Sequence, residues 1–335
     1  MPARTPMRLA SAALLLTLAL AASTTPFAHG LDARAAAALG RDDPGRPVVL
    51  LVHGRGYLTR DSAAVRRQTL HDLRAGAFSA TRDSLLSEGD VRVVWYADLL
   101  DLRRREERVG RDCDSAASPA ELDASPASVL RTLALIASNL IDVNATGREE
   151  ADVRGIAGDL RFFGDPVTRC AAEGRIADAL ARAHAEGRPV VLVAHSLGAL
   201  VTWGYLQHRG AIVSRHLPEI RRLVTVGSPF GARELRELLL GDASPLALPR
   251  GVRSWLNVVN ESDPFASRLI GSDSTNGQLR GVPGVADVVT VRGDGDVHDL
   301  HGYLRDANAA RAVLSAWCEG FERRERRSGC LALAK

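Results

Sequence analysis

The sequence has few of the residues on which several classes of protein depend. Aromatic residues make up only 4% of its 335 residues, which argues against binding of single-stranded nucleic acid by base stacking. The 43 basic and 40 acidic residues leave a formal net charge of +3, so no excess of one sign favours nucleic acid as a partner. The only lysine is Lys335, which excludes a phosphate-binding loop built around an internal lysine.

No apolar run in the sequence is long enough to cross a bilayer. The longest candidate, residues 9–22, has 14 residues and falls short of the roughly 20 that a membrane-spanning helix needs. Arg4 and Arg8 precede this run and small residues follow it through to Ala28, which is typical of a secretory signal peptide. We therefore predict a signal peptide over residues 1–28, no integral membrane span in the mature protein, and a secreted or periplasmic location.

Cysteine is scarce, and none of the four has the C-x-x-C spacing of zinc or thioredoxin-type sites. An even number of cysteines in an exported chain suggests two disulfides, for which three pairings are possible. Proximity in the sequence favours Cys318 with Cys330 and Cys113 with Cys170. Four free buried thiols are the alternative.

Residues 29–335 alternate between short apolar runs and helical stretches. Runs rich in β-branched residues predict strands at 47–53, 91–96, 188–194, 222–226, 254–259 and 286–291. Helical patterns lie at about 61–77, 166–186, 197–210, 232–240 and 303–320. Because the runs lack polar alternation, we expect strands that are covered on both faces. The sequence therefore predicts the α/β class, with a mostly parallel sheet and helices on both faces, in a single domain.

One connection is too long for a simple crossover. About 90 residues separate the strand that ends near Asp98 from the one that starts at Arg188, whereas a strand, helix and strand together need about 30. Residues 129–143 within this connection are apolar and predict a helix. We expect an insertion at about residues 99–165 that forms a cap or lid, with a helix simply packed on the sheet as the alternative.

A serine follows the third predicted strand on a turn suited to nucleophilic chemistry. Ser196 lies in the sequence A-H-S-L-G, with Ala194 two residues before it, Gly198 two residues after it and a helical stretch behind. Such a turn leaves the hydroxyl accessible, and the small neighbours let other backbone approach. The N–H groups at the start of the helix can stabilise an oxyanion. A serine that caps an ordinary helix is the alternative.

A glycine-rich turn follows the first predicted strand and has the sequence H-G-R-G at residues 53–56. Together with A-H-S-L-G and the G-S-P turn at residues 227–229, it resembles the α/β-hydrolase superfamily, in particular its lipases and esterases. The resemblance covers about residues 47–317 and implies the α/β-hydrolase fold. It also implies that Ser196 is the nucleophile and that the main-chain N–H groups of Arg55 and Leu197 hold the oxyanion. Ala194 departs from the more common glycine but is still small.

The resemblance implies an acid after the nucleophile and a histidine after the acid. Asp263 follows the fifth predicted strand, and we predict it as the acid because an Asp-Pro step fixes a turn and directs the side chain. Glu261, two residues earlier, is the alternative acid. We predict His298 as the general base, because the pattern H-x-x-x-G-Y-L is similar to the end of many bacterial esterase-like sequences. His301 is the alternative base.

The carboxylates and histidines at residues 294–301 also raise the possibility of a metal site. His298 and His301 could share one helical face, but the sequence has no third ligand cluster elsewhere. We therefore predict no metal, with a metal-dependent hydrolase as a lesser alternative.

Taken together, these residues predict an exported serine hydrolase that cleaves carboxylic esters through an acyl-enzyme, without a metal or organic cofactor. Its partner would be a small-molecule or lipid ester. An acyltransferase uses the same groups and is one alternative. A non-catalytic binding protein with an α/β-hydrolase-like fold is the alternative from another class.

Overall fold

A computed structural model describes most of the predicted sheet and its helices. The described residues are 45–55, 57, 61–101, 162–208, 218–230, 246–270, 282–290, 297–319 and 328–333. The predicted signal peptide lies outside these ranges, as do the predicted helices at 129–143 and 232–240 and most of the predicted insertion at 99–165.

Six strands form one sheet in which every neighbouring pair is parallel. In chain order they are β1 (Val48–Val52), β2 (Val91–Val94), β3 (Val190–His195), β4 (Ile220–Val226), β5 (Trp255–Asn260) and β6 (Val285–Thr290). Their order across the sheet is β2-β1-β3-β4-β5-β6. The predicted α/β class is confirmed, and each strand begins and ends within two residues of its predicted bounds.

Helices cover both faces of this sheet. They are α1 (Ser62–Thr81), α2 (Ala97–Leu100), α3 (Pro166–Ala185), α4 (Leu197–His208), α5 (Leu300–Arg305), α6 (Ala307–Cys318) and α7 (Ser328–Leu333). Leu50 packs with α3 and α4 on one face, whereas its neighbour Leu51 packs with α1 and α6 on the other. Successive strand residues point to opposite faces, so β1 and most of β3, which are buried on both faces, are apolar. The partly exposed outer strands β2 and β6 carry Arg92 and Asp287. None of the helices in the described ranges is long and apolar enough to span a membrane.

The stretch predicted as one helix over 303–320 is two helices, and the first of them begins before residue 303. Asp306 has extended backbone (φ −69°, ψ 135°), which ends α5. Its carboxylate accepts hydrogen bonds from the N–H groups two and three residues later, so it also caps the start of α6. Asp299 caps the start of α5 through one hydrogen bond, which its carboxylate accepts from the N–H of Gly302. An aspartate inside an apolar pattern therefore marks a helix boundary here.

The disulfide between Cys318 and Cys330 joins the end of α6 to α7 and confirms that predicted pairing. Cys170 is also disulfide-bonded, and its predicted partner Cys113 lies outside the described residues. Over the described part of the chain no cysteine is free, so the alternative of four free thiols is wrong.

The connections that follow β1 and β3 run toward opposite edges of the sheet. β1 is followed by β2 on one side, whereas β3 is followed by β4 on the other. Such a reversal opens a crevice at the carboxyl ends of the two strands, where ligands bind in open parallel sheets. His53 and Gly54 follow β1 and Ser196 follows β3, so both predicted motifs lie at this point.

Candidate active site

Ser196 occupies a sharp turn between β3 and α4. Its φ of 53° lies in the left-handed region, which residues other than glycine rarely adopt. Its N–H donates a 3.0 Å hydrogen bond to the carbonyl oxygen of Val226, which anchors the turn on β4. The sheet therefore holds the serine in a backbone conformation that an unsupported turn would avoid.

Two glycines let the backbone close around this turn: Gly198 of the small-x-Ser-x-Gly pattern and Gly54 of the H-G-R-G turn. A Cβ on Gly198 would lie only 2.3 Å from the carbonyl oxygen of His53 and 2.7 Å from that of Val52. A Cβ on Gly54 would lie 2.9 Å from the Cβ of Ser196. The loop after β1 thus packs directly against the serine turn, at a distance that only glycine permits.

His298 connects Ser196 to Asp263. Its Nε2 lies 2.8 Å from Oγ of Ser196, and its Nδ1 lies 2.8 Å from Oδ2 of Asp263. His298 precedes α5, Asp263 follows β5 and Ser196 follows β3, so three distant segments of the chain meet at the carboxyl edge of the sheet. The structure brings together the three residues predicted as nucleophile, base and acid, and their catalytic roles stay predictions.

Because Asp263 is ionised, it is possible to say which nitrogen of His298 carries a proton. Burial acts to raise the pKa of Asp263, but the hydrogen bond and charge of His298, with hydrogen bonds from Tyr303 and the N–H of Phe265, hold that pKa below its ordinary value. A carboxylate can only accept hydrogen bonds, so Nδ1 of His298 carries a proton and donates it. Nε2 is then the acceptor of the hydrogen bond with the hydroxyl of Ser196.

Tyr303 is a further member of the site that the sequence analysis missed. Its hydroxyl donates a 2.7 Å hydrogen bond to Oδ2 of Asp263 and accepts one of 3.2 Å from the N–H of Asn260. Burial, followed by the neighbouring carboxylate, raises the pKa of Tyr303 far above its ordinary value. The hydroxyl therefore stays protonated and acts as a donor. The available sequence signal was its place five residues after His298, in the H-x-x-x-G-Y-L pattern.

The G-S-P turn after β4 borders the acid. Gly227 has a φ of 55°, and a Cβ there would lie 3.1 Å both from Oδ2 of Asp263 and from Cε2 of Tyr303. A side chain would press against both, and the backbone conformation itself favours glycine. The hydroxyl of Ser228 donates a 2.7 Å hydrogen bond to Oδ1 of Asn257, which fixes the turn to β5.

Two buried histidines support the loops around the site. Nε2 of His195 donates to the carbonyl oxygen of His298 at 2.9 Å, and its Nδ1 has no partner among the described residues. Burial lowers the pKa of His195 to about 3. Nδ1 of His53 donates to the carbonyl oxygen of Gly54 at 2.8 Å, and burial lowers the pKa of His53 to about 4. Both imidazoles are therefore neutral at pH 7.

The predicted oxyanion donors, the N–H groups of Leu197 and Arg55, belong to two different elements that border Ser196, and their role stays a prediction. Leu197 is the first residue of α4 and follows Ser196 directly. Arg55 follows Gly54 in the loop that packs against Ser196. An N–H group at a helix N-terminus and one in an adjoining loop are suited to hold a negative oxygen, because both are fixed before any charge develops.

The two alternative residues bond to other partners. Glu261 is exposed and forms an ion pair with Arg268. Nδ1 of His301 lies 2.7 Å from Oδ2 of Asp72 on α1. Nδ1 of His298 therefore donates its hydrogen bond to Asp263 rather than to Glu261.

Asp72 is a second buried carboxylate that the sequence analysis missed. It is fully buried on α1 and accepts hydrogen bonds from Gln68, from His301 and, at 2.6 Å, from Nε of Arg305. Burial acts to raise the pKa of Asp72, but these partners lower it overall. The sequence signal for this buried acid was the position of Asp72 between Leu70 and Leu73 in a predicted helix. The cluster ties α1 to α5, the helix that holds Tyr303.

The histidines considered as metal ligands bond to different carboxylates, His298 to Asp263 and His301 to Asp72. Within the described ranges, no group of three or more histidine, cysteine, aspartate or glutamate side chains could hold a metal ion. Asp294 and Asp296 lie outside those ranges.

Comparisons with known proteins give no match for this chain. No protein-family model matches the sequence, and neither a curated protein nor a solved structure matches it. A proposal on function therefore depends on the residues and the geometry described above.

Proposed function

We propose that this protein is an exported serine hydrolase that cleaves carboxylic esters and has the α/β-hydrolase fold that its motifs resemble. One observation supports this proposal above all others. Ser196, in left-handed backbone at the end of β3, hydrogen-bonds to His298, and His298 hydrogen-bonds to the buried carboxylate of Asp263. A hydroxyl, an imidazole and a carboxylate in this order form the arrangement that activates a serine as a nucleophile.

In the proposed acylation, Oγ of Ser196 attacks the ester carbonyl carbon while Nε2 of His298 takes the hydroxyl proton. The carbonyl electron pair moves onto oxygen, where the N–H groups of Arg55 and Leu197 stabilise the negative charge. Asp263 stabilises the imidazolium that forms. The electron pair then returns, the bond to the leaving alkoxide breaks, and His298 donates its proton to that alkoxide.

In the proposed deacylation, a water molecule takes the place of the alcohol. His298 accepts a proton from the water as its oxygen attacks the acyl carbon. Collapse of the second tetrahedral intermediate breaks the bond to Ser196, and the proton on His298 passes to Oγ. The carboxylic acid leaves and the enzyme returns to its starting state.

An apolar ester is the substrate class that the surroundings of the site favour. The ring of Phe265 lies 4.7 Å from the ring of His298 and is partly exposed. Trp95 is also partly exposed and lies 4.9 Å from the ring of His53. The predicted cap or lid at about residues 99–165, most of which lies outside the described residues, stays part of this proposal. The disulfide bonds at Cys318 and Cys170 support an oxidising, extracytoplasmic location.

Hydrolysis of p-nitrophenyl esters of increasing acyl length tests the proposal and defines the chain-length preference. We expect turnover by the wild-type protein and a loss of at least about a thousandfold in kcat for Ser196→Ala and His298→Ala. Circular dichroism of each variant controls for folding. Adding a short alcohol as acceptor separates hydrolysis from acyl transfer by its ester product. Full activity in a folded Ser196→Ala variant would contradict the assignment of the nucleophile.

A further inference from the structure

Asp263 accepts three hydrogen bonds, and two of them meet at one oxygen. Oδ2 receives Nδ1–H of His298 at 2.8 Å and the hydroxyl of Tyr303 at 2.7 Å. Oδ1 receives the N–H of Phe265 at 2.9 Å. Asp263 is only 3% exposed, so these donors take the place of water around the carboxylate. Donors on both oxygens leave the carboxylate one orientation.

Tyr303 is itself fixed from several directions. Its hydroxyl accepts the N–H of Asn260 at 3.2 Å, and its ring leaves no room for a side chain at Gly227, where a Cβ would lie 3.1 Å from Cε2. Its helix, α5, is tied to α1 because Asp72 bonds to two side chains of α5. Tyr303 is 2% exposed. The hydroxyl is therefore held at Asp263 by the fold and does not have to be ordered when a substrate binds.

We infer that Tyr303 is a positioning residue of the proposed hydrolysis: its hydroxyl fixes Oδ2 of Asp263 toward His298 and shares the negative charge of that oxygen. The inference rests on the proposed function. Because two donors divide the charge of one oxygen, Asp263 stabilises the imidazolium of His298 less than it would without Tyr303. Tyr303 thus fixes the orientation of Asp263 and at the same time weakens its electrostatic stabilisation of the imidazolium.

The side chains around His298 determine how a change at Tyr303 alters the pH–rate profile. Asp263 after β5 and the hydroxyl of Ser196 hydrogen-bond to His298, and the ring of His195 at the end of β3 lies 5.0 Å from its ring. Tyr303 on α5 hydrogen-bonds to Asp263, and its ring lies 6.3 Å from that of His195. His195 is buried and neutral over the range in which an esterase is assayed. A change at Tyr303 therefore reaches His298 through Asp263.

The variant Tyr303→Phe removes the hydroxyl and keeps the ring. With p-nitrophenyl acetate we expect kcat to fall about tenfold with little change in KM, because Tyr303 no longer fixes the orientation of Asp263 toward His298. We also expect the acid limb of the pH–rate profile to move to higher pH, because Asp263 then stabilises the protonated imidazole more strongly. Tyr205→Phe, which removes the hydroxyl of a buried tyrosine in the core on the other face of the sheet, is the matched control.

A second arm keeps every hydroxyl in place. Global replacement of the four tyrosines by 3-fluorotyrosine makes each hydroxyl a stronger donor, and Tyr303 is the tyrosine whose hydroxyl bonds to Asp263. A stronger donor withdraws more charge from Oδ2. The acid limb should therefore move to lower pH, opposite in direction to the shift in Tyr303→Phe.

The outcomes separate the inference from the proposed function. Opposite shifts of the acid limb in the two arms, with Tyr205→Phe like the wild type, support the role of Tyr303. If the wild type is active and the acid limb does not move in either arm, the inference is overturned and the proposed function is not. A lower melting temperature of Tyr303→Phe would then mark Tyr303 as purely structural. A wild type that neither hydrolyses the ester nor reacts with a fluorophosphonate overturns the proposed function, and the inference with it.

Discussion

Gly54 lies so close to Ser196 that no side chain fits between them. A Cβ on Gly54 would lie 2.9 Å from the Cβ of Ser196 and 2.6 Å from Nδ1 of His195. Gly54→Ala must therefore displace the loop that holds Arg55, the serine turn, or both. We expect kcat/KM for a p-nitrophenyl ester to fall about a hundredfold, which is the scale of loss for a displacement of about 1 Å at a reacting group.

Gly174→Ala is the matched control for this substitution. Gly174 lies within α3, and a Cβ there meets no described atom within 4 Å. Because alanine is favoured over glycine in a helix by roughly 0.5 to 1 kcal/mol, this variant should be slightly more stable and fully active. Equal activities of the two variants would contradict the close packing of the β1 loop on the serine turn.

His298 and His301 lie three residues apart and should respond to alanine substitution in opposite ways. His298→Ala removes the proposed base, so kcat should fall at least about a thousandfold while the free energy of unfolding changes little. His301→Ala removes a donor from the buried carboxylate of Asp72, so the free energy of unfolding should fall by about 1 to 3 kcal/mol. We expect kcat of His301→Ala to fall by less than about tenfold. Urea unfolding and steady-state kinetics on both variants check this, and a reversal of the two effects would make His301 the base.

The two buried histidines predict that the protein loses stability on mild acidification. His53 and His195 have pKa values lowered to about 4 and about 3, whereas an unfolded histidine binds its proton near pH 6.5. Below about pH 6.5 the unfolded chain therefore binds protons that the folded chain does not. The contribution of these two neutral histidines to the free energy of unfolding is fully present above about pH 6.5. It is lost as the pH falls toward their folded pKa values, by about 1.4 kcal/mol per pH unit for each histidine.

Urea unfolding at pH 7, 6 and 5 measures this effect. The variant His53→Asn keeps a donor that can reach the carbonyl oxygen of Gly54 but does not titrate in this range. Its stability should depend on pH about half as steeply as that of the wild type near pH 5. A wild-type stability that does not change between pH 7 and pH 5 would contradict the neutral burial of both imidazoles.

The disulfide between Cys318 and Cys330 should contribute measurably to stability. It closes a loop with a sequence separation of 12 residues, for which the reduced chain entropy of the unfolded state amounts to about 3 kcal/mol. Replacing both cysteines by alanine should lower the free energy of unfolding by about that amount and leave kcat unchanged at 25 °C. The single variants separate this effect from packing, because each loses the same cross-link but only one buried sulfur. An unchanged free energy of unfolding in the double variant would show that the cross-link contributes nothing.

The sheet and the central residues of the site could be predicted because their signals are local. Each strand is rich in apolar, β-branched residues, most of all β1 and β3, which are buried on both faces of the sheet. Ser196 is marked by its own strand, turn and helix, and a parallel sheet brings the residues that follow β5 and β6 to the same edge. The order of nucleophile, acid and histidine, which the resemblance to the α/β-hydrolase superfamily implies, then pointed to Asp263 and His298.

The residues that were missed depend on which elements pack together. Asp72 is 229 residues from His301 in the sequence, and no local pattern pairs them. Tyr303 contacts Asp263 only because α5 lies beside the turn after β5. The break at Asp306 arises from competition between a side-chain cap and a continuous apolar pattern, which periodicity alone does not resolve.

The most direct test of the central claim is the reaction of the protein with a fluorophosphonate, read by intact mass beside Ser196→Ala and the matched control Ser228→Ala. Ser228 borders the site, and its hydroxyl bonds to Asn257 rather than to His298. We predict a single adduct on the wild type and on Ser228→Ala, and none on Ser196→Ala. An adduct that persists in the folded Ser196→Ala variant, or no adduct on the wild type, would contradict the claim that Ser196 is an activated nucleophile.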